Sequence, residues 1–307
     1  MAFVSGNASN IFDLLEAMDG LLLSVGWVKV DSDTTTYLGD TRLSYAVWQG
    51  SGDGNDKIYL QAKVPSGSIS DVYIDSFAGF DETLEDFEQP GSIQQWLKST
   101  GESVVRQPKI TISGTELYYY WLFANTYRII GVTRMSIQYE SFYMGFINPI
   151  ASERQFPYPM YICGNGVAPD ASWPSNKTGS FVFPHNDSGW LRRADGTWRS
   201  FSADATEPDP YSVGTVFPYN AHNKQLIPNY KGNNASSVEQ NNFLLLPVIL
   251  QTTNPIDMCG LLRGVYWISG TRDLAAEQTF VYGEEQYMTF DTKQYRDSNS
   301  YFCIKMD

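Results

Sequence analysis

The chain has 307 residues, of which 42% are hydrophobic, 15% aromatic and 18% charged. This balance excludes an intrinsically disordered chain, which would need few aromatic residues and much more charge. The formal net charge of −13 gives no basic footprint for nucleic acid. The acidic N-terminal third, residues 1–100, which includes the run Asp71–Glu88, predicts either a solvated face or a docking surface for a basic partner.

The first predicted element is an N-terminal helix. Apolar residues between Ile11 and Leu22 recur mostly at three- and four-residue steps, which is the period of an amphipathic helix. Asn10 can cap the first turn, Asp13 places a negative charge in it, and Gly26 can end the helix. We expect this helix to pack on a sheet, with a partner-binding helix as the alternative.

After Gly26 the chain predicts β-strands separated by turns. The clearer strands of the first half are Leu43–Trp48, Ile58–Val64, Val72–Phe77 and Ile110–Ile112. The apolar block 117–146 predicts two central strands around a turn at Ala124–Thr126, with a second helix over Ser136–Met144 as the alternative. The last predicted strands are Phe243–Leu250, Leu261–Ile268, the hairpin 279–290 and Tyr301–Lys305.

Residues 165–242 differ from the rest of the chain. They hold seven of the 15 prolines together with ten aromatic residues, and a disordered linker would lack those aromatics. The predicted fold is therefore mainly β (α+β), with an antiparallel β-sandwich-like core, an N-terminal helix and a long, loop-rich insertion. The predicted regions are 1–164, the insertion 165–242, and 243–307, whose strands complete the β core.

The insertion supplies the candidate binding residues. Exposed aromatic side chains are unfavourable in water unless another surface covers them, and Trp and Arg are enriched at binding hot spots. We therefore predict that the insertion contacts neighbouring subunits; the alternative is that its aromatics fold back onto their own domain. The candidate interface residues are Trp173, Trp190, Arg192, Arg193, Trp198 and Arg199.

No residue pattern predicts catalysis, a bound metal or a cofactor. The two histidines, His185 and His222, lie in the insertion without a nucleophile motif. Cys163, Cys259 and Cys303 have neither disulfide nor zinc spacing. Two of them, Cys163 and Cys303, stand in apolar, strand-like surroundings that are typical of small core residues.

One alternative is a sugar-binding or sugar-cleaving groove in the insertion. Asp204, Glu207 and Asp209 lie near Trp198 and Phe201, and glycan hydrolysis needs a pair of carboxylates. The same pattern is typical of any exposed loop, so the residues themselves favour no enzyme.

Short structural motifs lie in two further blocks, and the N-terminal segments Asp13–Leu15 and Gly26–Trp27 belong with them. The blocks comprise Trp121–Arg128, Tyr139–Phe146, Phe156–Met160 and Gly164, then Gly264–Gly270, the acidic hairpin around Gly283 and the ending Phe302–Asp307. These stretches resemble virion structural proteins of tailed bacteriophages. The resemblance implies a component of the phage tail, baseplate or neck, and it supplies no active-site residues.

The expected function is therefore that of a non-enzymatic virion protein that contacts other virion proteins, in multiple copies of a symmetric assembly. No apolar run is long enough to span a bilayer, and the N-terminus lacks the features of a signal peptide. We expect a protein that is made and assembled in the host cytoplasm, without cofactor, metal, nucleic-acid partner or membrane span. The alternatives are a tail-borne receptor-binding protein, which would hold a host glycan, and a glycan hydrolase.

Overall fold

The computed structural model describes residues 1–53, 56–85, 88–99, 107–112, 116–152, 155–167, 180–184, 188–201, 212–217, 219, 245–253, 256–268, 275–292 and 301–306. Within these ranges the helices are α1 (Ile11–Ser24) and α2 (Ile93–Ser99), and the strands up to residue 149 are β1 (Ala2–Ala8), β2 (Val28–Tyr37), β3 (Asp40–Asp53), β4 (Asp56–Lys63), β5 (Asp71–Phe77), β6 (Pro108–Thr111), β7 (Tyr118–Asn125), β8 (Arg128–Met135), β9 (Gln138–Phe146) and β10 (Asn148–Pro149). The later strands are β11 (Met160–Cys163), β12 (Gly166–Val167), β13 (Gly189–Arg192), β14 (Trp198–Phe201), β15 (Ser212–Phe217), β16 (Leu245–Thr253), β17 (Ile256–Ile268), β18 (Thr279–Tyr282), β19 (Glu285–Asp291) and β20 (Tyr301–Lys305).

The strands form two sheets over the described residues, and the fold is mainly β, as predicted. The large sheet has fourteen strands in the order β1-β7-β8-β9-β11-β13-β14-β15-β16-β17-β20-β19-β18, with β10 paired to β17 off this path. The small sheet has six strands in the order β12-β6-β5-β4-β3-β2. Neighbouring strands run antiparallel, apart from the parallel pair β14 and β15.

The first hydrophobic core lies between α1, the small sheet and one face of the large sheet. Leu14, Leu15 and Met18 of α1 pack there with Trp48 of β3 and Leu122 of β7. The helix forms where the sequence predicts it, because its start is fixed locally: the Asn10 side chain accepts a hydrogen bond of 3.0 Å from the backbone N–H of Asp13.

The second core lies between the two halves of the large sheet, which therefore packs against itself in a sandwich-like arrangement. The rings of Trp121 in β7 and Phe290 in β19 have centroids 5.6 Å apart. Across the same core, Arg134 of β8 lies 4.6 Å from the ring of Tyr119 and forms an ion pair with Glu277. Side chains from residues 119–134 and 277–290 thus hold the sandwich together.

Strands β7 and β9 contribute to both cores. Along β7, Trp121 and Phe123 face the second core, whereas Leu122 and Ala124 face the first. A strand that is covered on both faces needs apolar residues at successive positions rather than at alternate ones. This double burial explains the dense apolar block 117–146, which holds the three strands β7, β8 and β9 instead of the two predicted.

The alternative of a helix over Ser136–Met144 is wrong, because most of that segment is β9. The predicted turn at Ala124–Thr126 is confirmed by the pairing of Asn125 with Arg128. The second turn, at Ser136 and Ile137, was not predicted. The C-terminal hairpin and the final strand are confirmed as β18, β19 and β20.

The described part of the insertion contributes to both sheets: β12 pairs with β6 at the edge of the small sheet, whereas β13, β14 and β15 belong to the large sheet. Strand β13 pairs with β11, β14 pairs with β13, and β15 pairs with β16, so these strands join the first and last parts of the chain. Whether 164 and 242 mark domain boundaries stays a prediction. Among the described residues, no helix is long and apolar enough to cross a membrane.

Candidate functional site

Two of the candidate interface residues, Trp190 and Trp198, are buried within their own chain. Trp198 is 0% exposed, and its indole N–H donates a hydrogen bond of 3.0 Å to the carbonyl oxygen of Gly91. The Trp190 ring packs edge-on against Trp96, with centroids 6.4 Å apart. These two side chains therefore follow the alternative prediction, in which the aromatics of the insertion pack onto their own domain. Trp173 lies outside the described residues.

The candidate arginines lie beside the buried tryptophans and are partly exposed. Arg192 donates a hydrogen bond of 3.1 Å to the carbonyl oxygen of Pro157 and lies 5.5 Å from the Tyr158 ring. Arg193 and Arg199 both stabilise the carboxylate of Asp195, and hydrogen bonds from Thr197 help lower the pKa of Asp195 despite its partial burial. Contact of these arginines with a neighbouring subunit stays a prediction.

The described residues bring no candidate metal-binding group together. His185, His222, Asp204, Glu207 and Asp209 lie outside them, and no cluster of His, Cys, Asp or Glu within the described ranges could hold a metal ion. Cys163 and Cys303 are buried core residues, as predicted. Burial raises the pKa of the Cys163 thiol to about 12, which leaves it unreactive.

The acidic run Asp71–Glu88 does not form one solvated face. Asp75 is fully buried, and burial raises the pKa of its carboxyl group well above the ordinary value. Asp71 lies 3.4 Å from the ammonium of Lys109, and Glu88 forms an ion pair with Lys98. Among the described residues of this run, the exposed acids are Asp81, Glu82 and Glu85, while Asp75 is withdrawn from any docking surface for a basic partner.

Glu140 is a second buried carboxyl group, and it lies where the two sheets meet. The side-chain amide of Asn165 donates hydrogen bonds to Glu140 and to the backbone oxygen of Thr111, the latter over 2.7 Å. The Asn165 side-chain oxygen accepts a bond of 2.7 Å from the Thr111 backbone N–H. Burial raises the pKa of Glu140 to about 8, although the bond from Asn165 opposes the rise.

Strand β18 forms one open edge of the large sheet. It pairs with β19 on one side, and no other described strand pairs with it. Its four residues carry no charge and no proline, while Val281 is 63% exposed and Tyr282 is 45% exposed. The Phe280 ring stacks on Tyr287 of β19, with ring centroids 5.4 Å apart, which holds β18 against β19. The sequence predicts this hairpin but not that its first strand is an edge.

Strand β2, at the edge of the small sheet, differs from β18 in both charge and shape. It carries Lys29, Asp31 and Asp33, and its pairing with β3 shifts register at two places. Charged residues and bulges are the devices by which proteins stop edge strands from pairing with other chains. Only one of these two edges, that of β18, therefore presents an unprotected strand.

Comparison with models of known protein families and with curated protein sequences gave no match.

Proposed function

We propose that this protein is a structural subunit of a tailed bacteriophage particle, in its tail, baseplate or neck, and that it contacts a neighbouring virion protein through the edge of β18. The open, uncharged edge strand is the observation that carries the proposal. The similarity of Tyr139–Phe146 and the related segments to phage virion proteins supports the phage setting.

An edge strand binds a partner through its backbone. The outward N–H and C=O groups of β18 can pair with a strand of another chain, and the exposed side chains then set which partner fits. Val281 and Tyr282 provide an apolar and an aromatic contact next to that backbone. Tyrosine is enriched at protein interfaces because its ring is apolar and its hydroxyl remains polar.

The test compares two valines that are similarly exposed but lie on edge strands of different sheets. Val281 of β18 is 63% exposed and Val28 of β2 is 60% exposed. Each is replaced by lysine in a phage genome, and the amount of this protein in purified particles is measured by quantitative mass spectrometry. We expect Val281→Lys to lower incorporation strongly, because a charge on the edge opposes strand addition, while Val28→Lys incorporates as the wild type does.

Circular dichroism and thermal unfolding of both purified variants show whether they fold. If folded Val281→Lys enters particles at the wild-type level, β18 is not the assembly contact. Absence of the wild-type protein from purified particles refutes the virion assignment itself. Turnover of host envelope polysaccharide by the purified protein would favour the tail-borne glycan hydrolase instead.

A further inference from the structure

Arg128, at the start of β8, has a buried positive charge without an opposing one. Its side chain is 3% exposed, and its Nε and Nη1 atoms have no hydrogen-bond partner. The remaining nitrogen, Nη2, lies 3.4 Å from the Met1 sulfur, which is a weak acceptor. Because a guanidinium stays protonated in proteins, this charge is present at every physiological pH.

The charged group near Arg128 is a second cation, Arg263, and not a carboxylate. Arg263 of β17 lies 4.6 Å from the ring of Tyr127, and Arg128 lies 5.9 Å from the same ring. Burial lowers the pKa of Arg128 and the charge of Arg263 lowers it further, while nearby tyrosines, Tyr143 first among them, oppose this. No carboxylate of the described residues pairs with Arg128.

The backbone opens the sheet at this point. Leu261 of β17 pairs with Asn148 of β10, whereas Val265 pairs with Ile304 of β20, so β17 changes partner within four residues. Between them, Gly264 has a φ of +63°, and a Cβ atom there would lie 2.8 Å from Nη2 of Arg128. The absence of a side chain at Gly264 therefore leaves room for the guanidinium where the strands part.

We propose that Arg128 and Arg263 form a binding site for a small oxyanion, such as inorganic phosphate, at this parting of the large sheet. A planar guanidinium presents paired N–H donors that match two oxygens of an oxyanion. The anion replaces the Met1 sulfur at Nη2, takes the unused donor of Nε, and compensates a charge that the protein otherwise buries at a cost. Arg263 is partly exposed, whereas Arg128 is buried.

The test is the thermal unfolding of the full chain in sodium phosphate and in sodium chloride at matched pH and ionic strength. Bound anion stabilises the folded state by mass action, so phosphate is expected to raise Tm in a saturable way beyond the effect of chloride. Isothermal titration calorimetry with phosphate gives the dissociation constant. Loss of one charged hydrogen-bond donor is expected to weaken binding by about tenfold or more.

The variants are Arg128→Gln and Arg263→Gln, with Arg193→Gln as a control at a partly exposed arginine outside the cluster. The proposal requires that both cluster variants lose the phosphate-specific rise in Tm and that Arg193→Gln keeps it. If Arg128→Gln does not fold, Arg263→Gln decides the question, because its side chain is partly exposed. An equal effect of phosphate and chloride on the wild type, or a phosphate response that survives in both cluster variants, overturns the proposal.

Discussion

Replacement of Glu140 by glutamine tests whether this carboxyl group is held neutral where the two sheets meet. Glutamine keeps the shape of the side chain and an oxygen that can accept the hydrogen bond from Asn165, but it cannot ionise. The pKa of Glu140 is about 8 in the folded protein, compared with an ordinary value of 4.5. Between those two pH values the folded protein holds a proton that the unfolded chain has released.

The sign and size of the effect follow from that difference. Because the folded state binds more protons in this window, the free energy of unfolding of the wild type falls as the pH rises from 4.5 towards 8. At roughly 1.4 kcal/mol for each pH unit, with partial titration near both ends, the loss from pH 5 to pH 8 is about 3 kcal/mol. The unfolding free energy of Glu140→Gln lacks this loss. We therefore expect it to rise, relative to that of the wild type, by about 3 kcal/mol between pH 5 and pH 8.

The assay is urea unfolding of both proteins at pH 5, 6.5 and 8, followed by tryptophan fluorescence. The decisive quantity is how the difference in unfolding free energy between the variant and the wild type changes with pH. Any packing effect of glutamine that does not depend on pH cancels in this change. The buried Asp75 also depends on pH, but it is present in both proteins and cancels as well. Parallel plots of unfolding free energy against pH for the two proteins would refute the assignment of Glu140 as a neutral buried acid.

Two further predictions concern buried side chains. Trp198→Ala should lower the free energy of unfolding by about 3–5 kcal/mol, because the indole is fully buried, whereas Arg199→Ala should change it by about 0.5 kcal/mol or less; urea unfolding measures both, and equal stability of the two variants would contradict the burial. Cys163, Cys259 and Cys303 are all buried, so Ellman's reagent should label no thiol in the native protein and all of them in urea; rapid native labelling would show an open core.

The sequence predicts best the secondary-structure elements that are determined by residues adjacent to them in the chain. The helix α1 begins at Ile11 because Asn10 caps it and the apolar stripe follows, and all of these signals are adjacent in the chain. The division of block 117–146 into three strands was missed because the second turn lacks a glycine or proline: Ser136 adopts a φ of +54° there instead. The unbroken burial of β9 from Tyr139 to Phe146, with apolar residues on both faces after Ser141, hides its strand period.

The burial of Trp198 and the edge position of β18 depend on distant parts of the chain. The indole N–H of Trp198 donates its hydrogen bond to the carbonyl oxygen of Gly91, 107 residues earlier. No local pattern therefore distinguishes this buried ring from an exposed one. In the same way, the sequence of β18 predicts a strand, but only the order of the described strands shows that none of them pairs with its second edge. Glu140 and Asn165, by contrast, are only 25 residues apart and are brought together by the pairing of β9 with β11.

The contact of Arg134 with Glu277 also sets when this chain can complete its folding. The two residues are 143 positions apart, and the rings of Trp121 and Phe290 are even further apart in the chain. During synthesis, the aromatic face of β7 therefore stays uncovered at least until residues 277–290 have left the ribosome. Non-local strand pairing of this kind folds slowly and exposes apolar surface for longer, so the yield of native protein is expected to depend on temperature and on chaperones.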